Sequence, residues 1–580
     1  MNHPFIFDRI PGKTNAHMLA SDYPKKDQIS NDLCGRVLTD QMVPWVPTRV
    51  QVDCLVTPVN DSNKMKNTSQ MKASHPLPSR NFISNSKYFT LISLITVGLV
   101  LFAVLDSFGQ RFAVASGNWN STSTWSSTSG GAPGASVPTS ATAVTIERGF
   151  TVTVDVNNAA AASLQIGGLS VGNGTLAFNS GSQLTVTNNV TLGNGIRTGS
   201  LDFTNGGLLV LGVGNTAGIL VVTTLGTFTP GAGTIQFASN NNQTVATTAS
   251  LGGVPYNNLI FSGTSTVKTI TGVSINGILS LEATATVNTA PTYGANATLR
   301  YNTSTARTAG SEWVTPFTGT GGVIIDNIGT ITMDNAKVFN TGVPLTITDL
   351  ATLATANFSL TLGGNYANDF GTMTAGSSPI IITGTGDQNL SGFTTTGTVS
   401  MTKTGGTAFL LGDMTAGALT MNGSGGTLHL GAGSVHTISG TWTRTDGTLN
   451  GGGSTIRFGA GYSGSGGAFD ANVGAVEWNA AGAQTIAPLT YHDLILSGSG
   501  AKTMTGVSSI TGDFTMAGSA TATPSTTLTV TGLTTLSGTS QLILGAANIL
   551  SNSGAIVMDG GTFKTGATTG NNETVGTLKL

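Results

Sequence analysis

Tyr256-Asn257-Asn258-Leu259-Ile260-Phe261-Ser262-Gly263, followed by Lys268-Thr269-Ile270-Thr271-Gly272-Val273, is written a second time as Tyr491-His492-Asp493-Leu494-Ile495-Leu496-Ser497-Gly498, followed by Lys502-Thr503-Met504-Thr505-Gly506-Val507. The lead-ins repeat as well: Gly233-Thr234-Ile235-Gln236-Phe237 with Gln243-Thr244-Val245 matches Ser454-Thr455-Ile456-Arg457-Phe458 with Gln484-Thr485-Ile486. A short unit of strands and turns cannot bury its own apolar face, so its repetition points to coils that bury it against their neighbours. Toward the N-terminus the same grammar continues in Leu176-Ala177-Phe178, Leu184-Thr185-Val186, Val190-Thr191-Leu192, Leu201-Asp202-Phe203 and Leu208-Leu209-Val210-Leu211, with Asn/Gly/Ser turn pairs between them. Very short alternating runs, the lack of a Cys–Trp–Cys core and the lack of a Pro-rich linker favour a parallel β-helix over a string of β-sandwiches.

Composition agrees. Of 580 residues 80 are glycine and only 9% are charged, so few helices could keep a charged face in water. The expected fold is all-β: an elongated right-handed parallel β-helix over residues 140–580, with coils of about 20 to 25 residues. About twenty coils at ~4.8 Å each would make a rod on the order of 100 Å long.

Residues 1–111 hold 12 of the 24 Lys and Arg and 8 of the 26 Asp and Glu, which leaves 12 basic and 18 acidic residues beyond. The basic residues there stand singly, so nucleic acid is not an expected partner. Cys34 and Cys54 are the only cysteines, and the repetitive part therefore has neither a disulfide framework nor a thiolate metal site.

Tyr88–Leu105 is an uncharged apolar run preceded by Lys72, Arg80 and Lys87 and followed by the small residues Ser107 and Gly109. It reads as an export signal cleaved after Gly109, with a membrane anchor as the alternative, since the run approaches spanning length. Residues 71–109 are thus the signal, and Met71 would be a natural initiator. Residues 1–70 are polar and proline-containing, without periodicity, and are expected to be disordered and to stem from an over-extended start. Residues 110–139 form an opening segment, and Leu580 falls inside what reads as a strand, so a chain truncated at its C-terminal end is expected. The expected location is extracellular or on the outer cell surface, after handling by an export machinery.

Gly117-Asn118-Trp119 with Trp125 resembles the opening of exported β-helix proteins, in which an aromatic pair caps the first coil. Together with Ser262-Gly263, Lys268-Thr269 and Gly272, and their copies Ser497-Gly498, Lys502-Thr503 and Gly506, it is similar to the large β-solenoid surface proteins exported by type IX secretion. Gly560-Gly561-Thr562-Phe563 and Glu573-Thr574-Val575-Gly576-Thr577-Leu578 resemble autotransporter adhesin passengers. The resemblance implies an architecture and an adhesive role. It departs in one respect: type IX proteins usually end in a β-sandwich sorting domain, whereas this sequence stops at Leu580 inside what reads as a strand, which implies either a fragment or another export route.

Parallel β-helices also carry polysaccharide lyases and hydrolases, whose chemistry needs carboxylates gathered in one groove. The nearest candidates are Asp326 with Asp334, and the group His429, His436, Arg444 and Asp446. Neither pattern matches a lyase signature, and solitary charges at turns are the ordinary state. His429 alternates with Leu428 and Leu430 and should point outward, and both histidines read as surface residues rather than metal ligands. No calcium-binding Gly-Gly-x-Gly-x-Asp run occurs. Asp387 and Asp559-Gly560-Gly561 read as turns in which Asp bonds its own backbone. Tyr256 and Tyr491 read as packing between coils, although aromatic stacking on sugars would use the same residues. Asn240-Asn241-Asn242 reads as ladder formation along the stack. Gly212-Val213-Gly214 lacks the following Lys-Ser/Thr of a phosphate loop, so no nucleotide is expected. No catalytic, cofactor or metal residue is assigned. The expected function is a non-enzymatic secreted or surface adhesin, a stalk whose lateral faces contact glycans, host or cell-surface polymers. The alternative is a carbohydrate-active β-helix enzyme.

Overall fold

The computed structural model describes residues 109–168, 171–545, 550–565 and 574–579. Residues 1–70 and the run Tyr88–Leu105, expected to be disordered and to direct export, lie outside the described residues.

In the duplicated segment, Asn258–Phe261 and Asp493–Leu496 are strands with one burial alternation: the second and fourth side chains are buried, the first and third half-buried. A two-residue period of β-branched and aromatic side chains can bury one face only if the chain is extended. Each strand then pairs in parallel with its counterparts on the coils before and after. Ile235, Leu259, Leu279, Leu299, Val323 and Leu345 are successive register partners, and all are essentially inaccessible to water. The result is an all-β parallel solenoid of about twenty turns from residue 143 onward.

The coils vary in length more than the sequence suggested. A long coil separates Val190 from its register partner Leu220, whereas a much shorter one separates Trp478 from Leu496. Strands must stay in register because each supplies the hydrogen bonds of the next, so insertions are expelled into the corners. One corner is narrow over three coils: Gly174, Gly199 and Gly226 are successive register partners, and a Cβ on Gly199 would lie 2.1 Å from the Ile166 carbonyl oxygen.

Aromatic side chains stack inside from coil to coil, as Phe178 on Phe203 at 4.5 Å and Phe458 between Trp442 and Trp478 at 4.9 Å each. Phe458 and Trp478 are register partners on adjacent coils, whereas Trp442 meets Phe458 from a neighbouring strand, and such ring contacts add to area burial. At the start, Gln110–Ala113 pairs in parallel with Ala143–Ile146 and antiparallel with Trp125–Ser126. Trp119 and Trp125 are buried edge-to-face at 5.1 Å, and Trp125 Nε1 donates to the Trp119 carbonyl. A reversed strand at this edge covers hydrogen-bonding groups that would otherwise recruit another chain.

The polar turn residues do more than close turns. Asn and Asp oxygens accept backbone N–H groups from the following coil: Asn258 from Ile278, Asp387 from Thr407, Asp413 from Val435, Asp493 from Asp513, and Asp513 from Leu533. Asp387 therefore brackets the next coil rather than its own backbone. Asn240 and Asn242 do the same for Thr264 and Val267, so the asparagine run links coils, through side chain to backbone.

Candidate functional site

The duplicated tyrosines are internal. Tyr256 and Tyr491 are both inaccessible, and their hydroxyls donate to the carbonyls of Ala246 and Ala487, the same position of the repeat, at 2.8 and 2.6 Å. Burial raises both phenols well above the ordinary tyrosine value. Packing, not ligand contact, occupies them.

The duplicated lysine and glutamine meet. Lys268 Nζ donates to Gln243 Oε1 at 2.6 Å and to the Ser239 carbonyl at 2.9 Å, and Gln243 Nε2 donates to the carbonyls of Leu211 and Gly218. In the copy, Lys502 Nζ donates to Gln484 Oε1 at 3.0 Å and the Ala480 carbonyl at 2.8 Å, while Gln484 Nε2 donates to the carbonyls of Phe458 and Ala460. A third instance, Lys403 on Gln388 at 2.8 Å, stands between them, with Gln388 Nε2 on Leu362 and Gly364. All three lysines are buried with amide and carbonyl partners. Burial lowers Lys268 and Lys502 to about 8, and lowers Lys403 as well. These clamps satisfy turn carbonyls that water cannot reach. The repeated Gln-Thr and Lys-Thr pairs were their signal in the sequence, but nothing local says that they touch.

The acid–base candidates are dispersed among other partners. Asp334 pairs with Lys337 at 2.7 Å, and Asp326 pairs with Arg300, whose Nε lies 2.8 Å from Oδ2. His429 is half-buried against Phe409, and its Nδ1 accepts the Gly431 N–H. His436 corrects the surface expectation: it is fully buried, Nε2 donates to the Leu430 carbonyl and Nδ1 accepts the Met414 N–H. Burial lowers its pKa, so it is neutral with both nitrogens occupied. Arg444 is buried over the Trp442 ring and donates to the Gly467 carbonyl, whereas Asp446 is exposed and accepts the N–H of Gly447. Among the described residues no group of three His, Cys, Asp or Glu could hold a metal ion.

One corner does gather charges, against the expected scatter. Glu282 and Asn302 are register partners, as are Asn302 and Asp326, so three coils bring them to one edge with Arg300 and Asp349. Burial acts to raise Asp326, but hydrogen bonds from Arg300 and the Asn327 N–H outweigh it and hold the carboxyl below its usual range. Asp349, hydrogen-bonded to Asp326, is pushed up by that contact. Glu282 is raised chiefly by burial.

Beside this edge runs an apolar ridge. The strands that follow the corner pair Thr330 with Thr352 and Thr352 with Thr372, which places Ile328, Leu350 and Phe370 one above another. Their exposures are 61%, 68% and 87%. The backbone there is left-handed at Asn327, Asp349, Leu350 and Phe370, with φ of 65°, 52°, 63° and 65°. Asn and Asp tolerate that region, but for Leu and Phe it costs of order 1–2 kcal/mol. The chain thus holds large apolar side chains in water on strained backbone. Nothing in the sequence announced the ridge, because Ile328, Leu350 and Phe370 have no shared motif. Comparison with known proteins finds no matching family model, no matching curated protein and no matching solved structure.

Proposed function

We propose that this chain is a non-enzymatic stalk-like adhesin, secreted or displayed on the outer cell surface, whose lateral faces contact glycans or other surface polymers. The observation that carries this reading is the ridge of Ile328, Leu350 and Phe370. At Leu350 and Phe370 strain and exposure coincide and give nothing to folding, and contiguous exposed apolar side chains rimmed by polar groups are a feature of contact surfaces. The acidic edge of Asp326 and Asp349 supplies hydrogen-bond acceptors beside it. The export run Tyr88–Leu105 supports the location, and the resemblance to type IX-secreted and autotransporter-passenger proteins supports the role.

The test coats beads with the full chain and measures retention on cellulose, chitin and agarose and on bare polystyrene. Phe370→Gly and Leu350→Gly relieve the left-handed strain and remove little buried area, so they should leave folding intact or raise its stability while weakening retention several-fold. Unchanged retention in both variants would sink the reading. Release of reducing or unsaturated sugar from any of these polysaccharides, abolished by Asp326→Asn or Asp349→Asn, would replace it with the enzyme.

A further inference from the structure

A groove of about 460 Å³ lies on the outer face of the first sheet, at the start of the solenoid. Its floor is one row of register partners, Phe112, Thr145, Gln165 and Thr191, contributed by four successive coils. Its wall carries Glu147, whose side chain is 3% exposed and accepts a hydrogen bond from Ser129 Oγ. The amide of Gln165 is held in place, with Nε2 on the carbonyls of Gly193 at 2.8 Å and Gly167 at 3.1 Å. The hydroxyls of Thr145 and Thr191 make no hydrogen bond among the described residues.

We propose that this groove binds a neutral oligosaccharide of a few residues, laid across the coils; the proposal rests on the stalk reading and names a ligand class for it. Three properties of the lining select that class. Among the described residues no cation lines the groove, and the Arg148 guanidinium next to Glu147 is drawn to its carboxylate at 3.6 Å, so a phosphate, sulfate or uronate would meet a carboxylate and no cation of the lining. The Thr145 and Thr191 hydroxyls offer donors and acceptors, and the fixed Gln165 amide, its Nε2 held on carbonyls, offers its Oε1 as an acceptor, which suits a polyol. Phe112 adds an apolar surface for the C–H face of a sugar ring, and the volume falls in the range of small-ligand sites. Four rungs at ~4.8 Å spacing give a row of about 14 Å, long enough for more than one ring. The groove and the Phe370 ridge occupy different coils, so each can fail alone.

The experiment is isothermal titration of the full chain with cellohexaose, laminarihexaose, mannohexaose and xylohexaose, and with hexagalacturonate as the anionic comparison. At least one neutral hexasaccharide should bind with Kd below about 1 mM, and hexagalacturonate should not. Thr145→Arg, which projects a cation and bulk into the groove from a half-buried outward position, should weaken binding about tenfold or more, while Thr346→Arg on a distant coil should not. Thr191→Arg reads the same groove from another rung should Thr145→Arg lose its native circular dichroism. Binding by none of the neutral hexasaccharides, binding indifferent to both groove variants, or preference for hexagalacturonate overturns the proposal. A chain that is retained on surfaces but binds no hexasaccharide overturns the groove alone; one whose groove binds but which is not retained overturns the stalk reading alone.

Discussion

Replacing Lys268 and Lys502 together by Met should remove most of a rise of stability with pH. Each ammonium is fully buried, without a carboxylate partner, and burial lowers its pKa from 10.5 to about 8. Below about pH 8 the folded and unfolded chains both carry the proton, and the cost of burying charge is present in full. Between about 8 and 10.5 only the unfolded chain holds it, so the unfolded state binds more protons and stability climbs with pH. Integrated from pH 7 to 9.5, the gain is about 2 kcal/mol per lysine. The neutral amine retains two N–H groups, enough to keep the bonds of Lys268 to Ser239 and Gln243. In the variant, Met fills similar volume and removes the charge, so at pH 7 the lost hydrogen bonds and the relieved burial of charge nearly cancel. The assay is equilibrium urea unfolding followed by far-ultraviolet circular dichroism at pH 7 and 9.5. The upper limit is set by the tyrosines: burial raises Tyr256, Tyr366 and Tyr491, and their contribution is lost once the unfolded phenols ionise above about pH 10. The wild type should gain on moving to pH 9.5, and the double variant should keep only the smaller gain owed to Lys403. An equal pH slope in both proteins would refute the buried-lysine account.

The other expectations are local. Tyr256→Phe and Tyr491→Phe each remove one hydroxyl from an inter-strand carbonyl and should cost about 1 kcal/mol, equally in the two copies, in the same unfolding assay. Gly199→Ala forces a methyl against the Ile166 carbonyl and should cost about 1–3 kcal/mol, whereas Gly195→Ala, with φ of 82° and open space, should cost only the left-handed penalty of about 1 kcal/mol. Asp326→Ala removes a buried carboxylate's hydrogen bonds with Arg300 and the Asn327 N–H and should lower the melting temperature, while Asp446→Ala, exposed and bonded to the adjacent N–H, should leave it unchanged. The exported form is expected to begin near Gln110, and mass spectrometry of surface material should then lack the Cys34 and Cys54 peptides.

Local pattern was enough for the class of fold, because period-two alternation and tight turns are properties of neighbouring residues, and the duplicated Tyr–Ser-Gly–Lys-Thr unit declares repetition without any contact being known. It also identified Tyr256 and Tyr491 as packing residues, since identical register in two copies is the mark of a position held by its neighbours. Relations between coils, by contrast, emerged only in three dimensions. Lys268 and Gln243 are 25 residues apart in the chain yet 2.6 Å apart in space. Asp326 lies far along the chain from Glu282 yet shares its edge, and Ile328, Leu350 and Phe370 form a ridge only because Thr330, Thr352 and Thr372 come into register just beyond them. Coil length is not constant along the stack, as the pairing of Val190 with Leu220 but of Trp478 with Leu496 makes plain. Register is set by hydrogen bonds and side-chain packing between neighbouring rungs, so a period read along the chain cannot say which residue stands above which, and a lateral surface is made of nothing else.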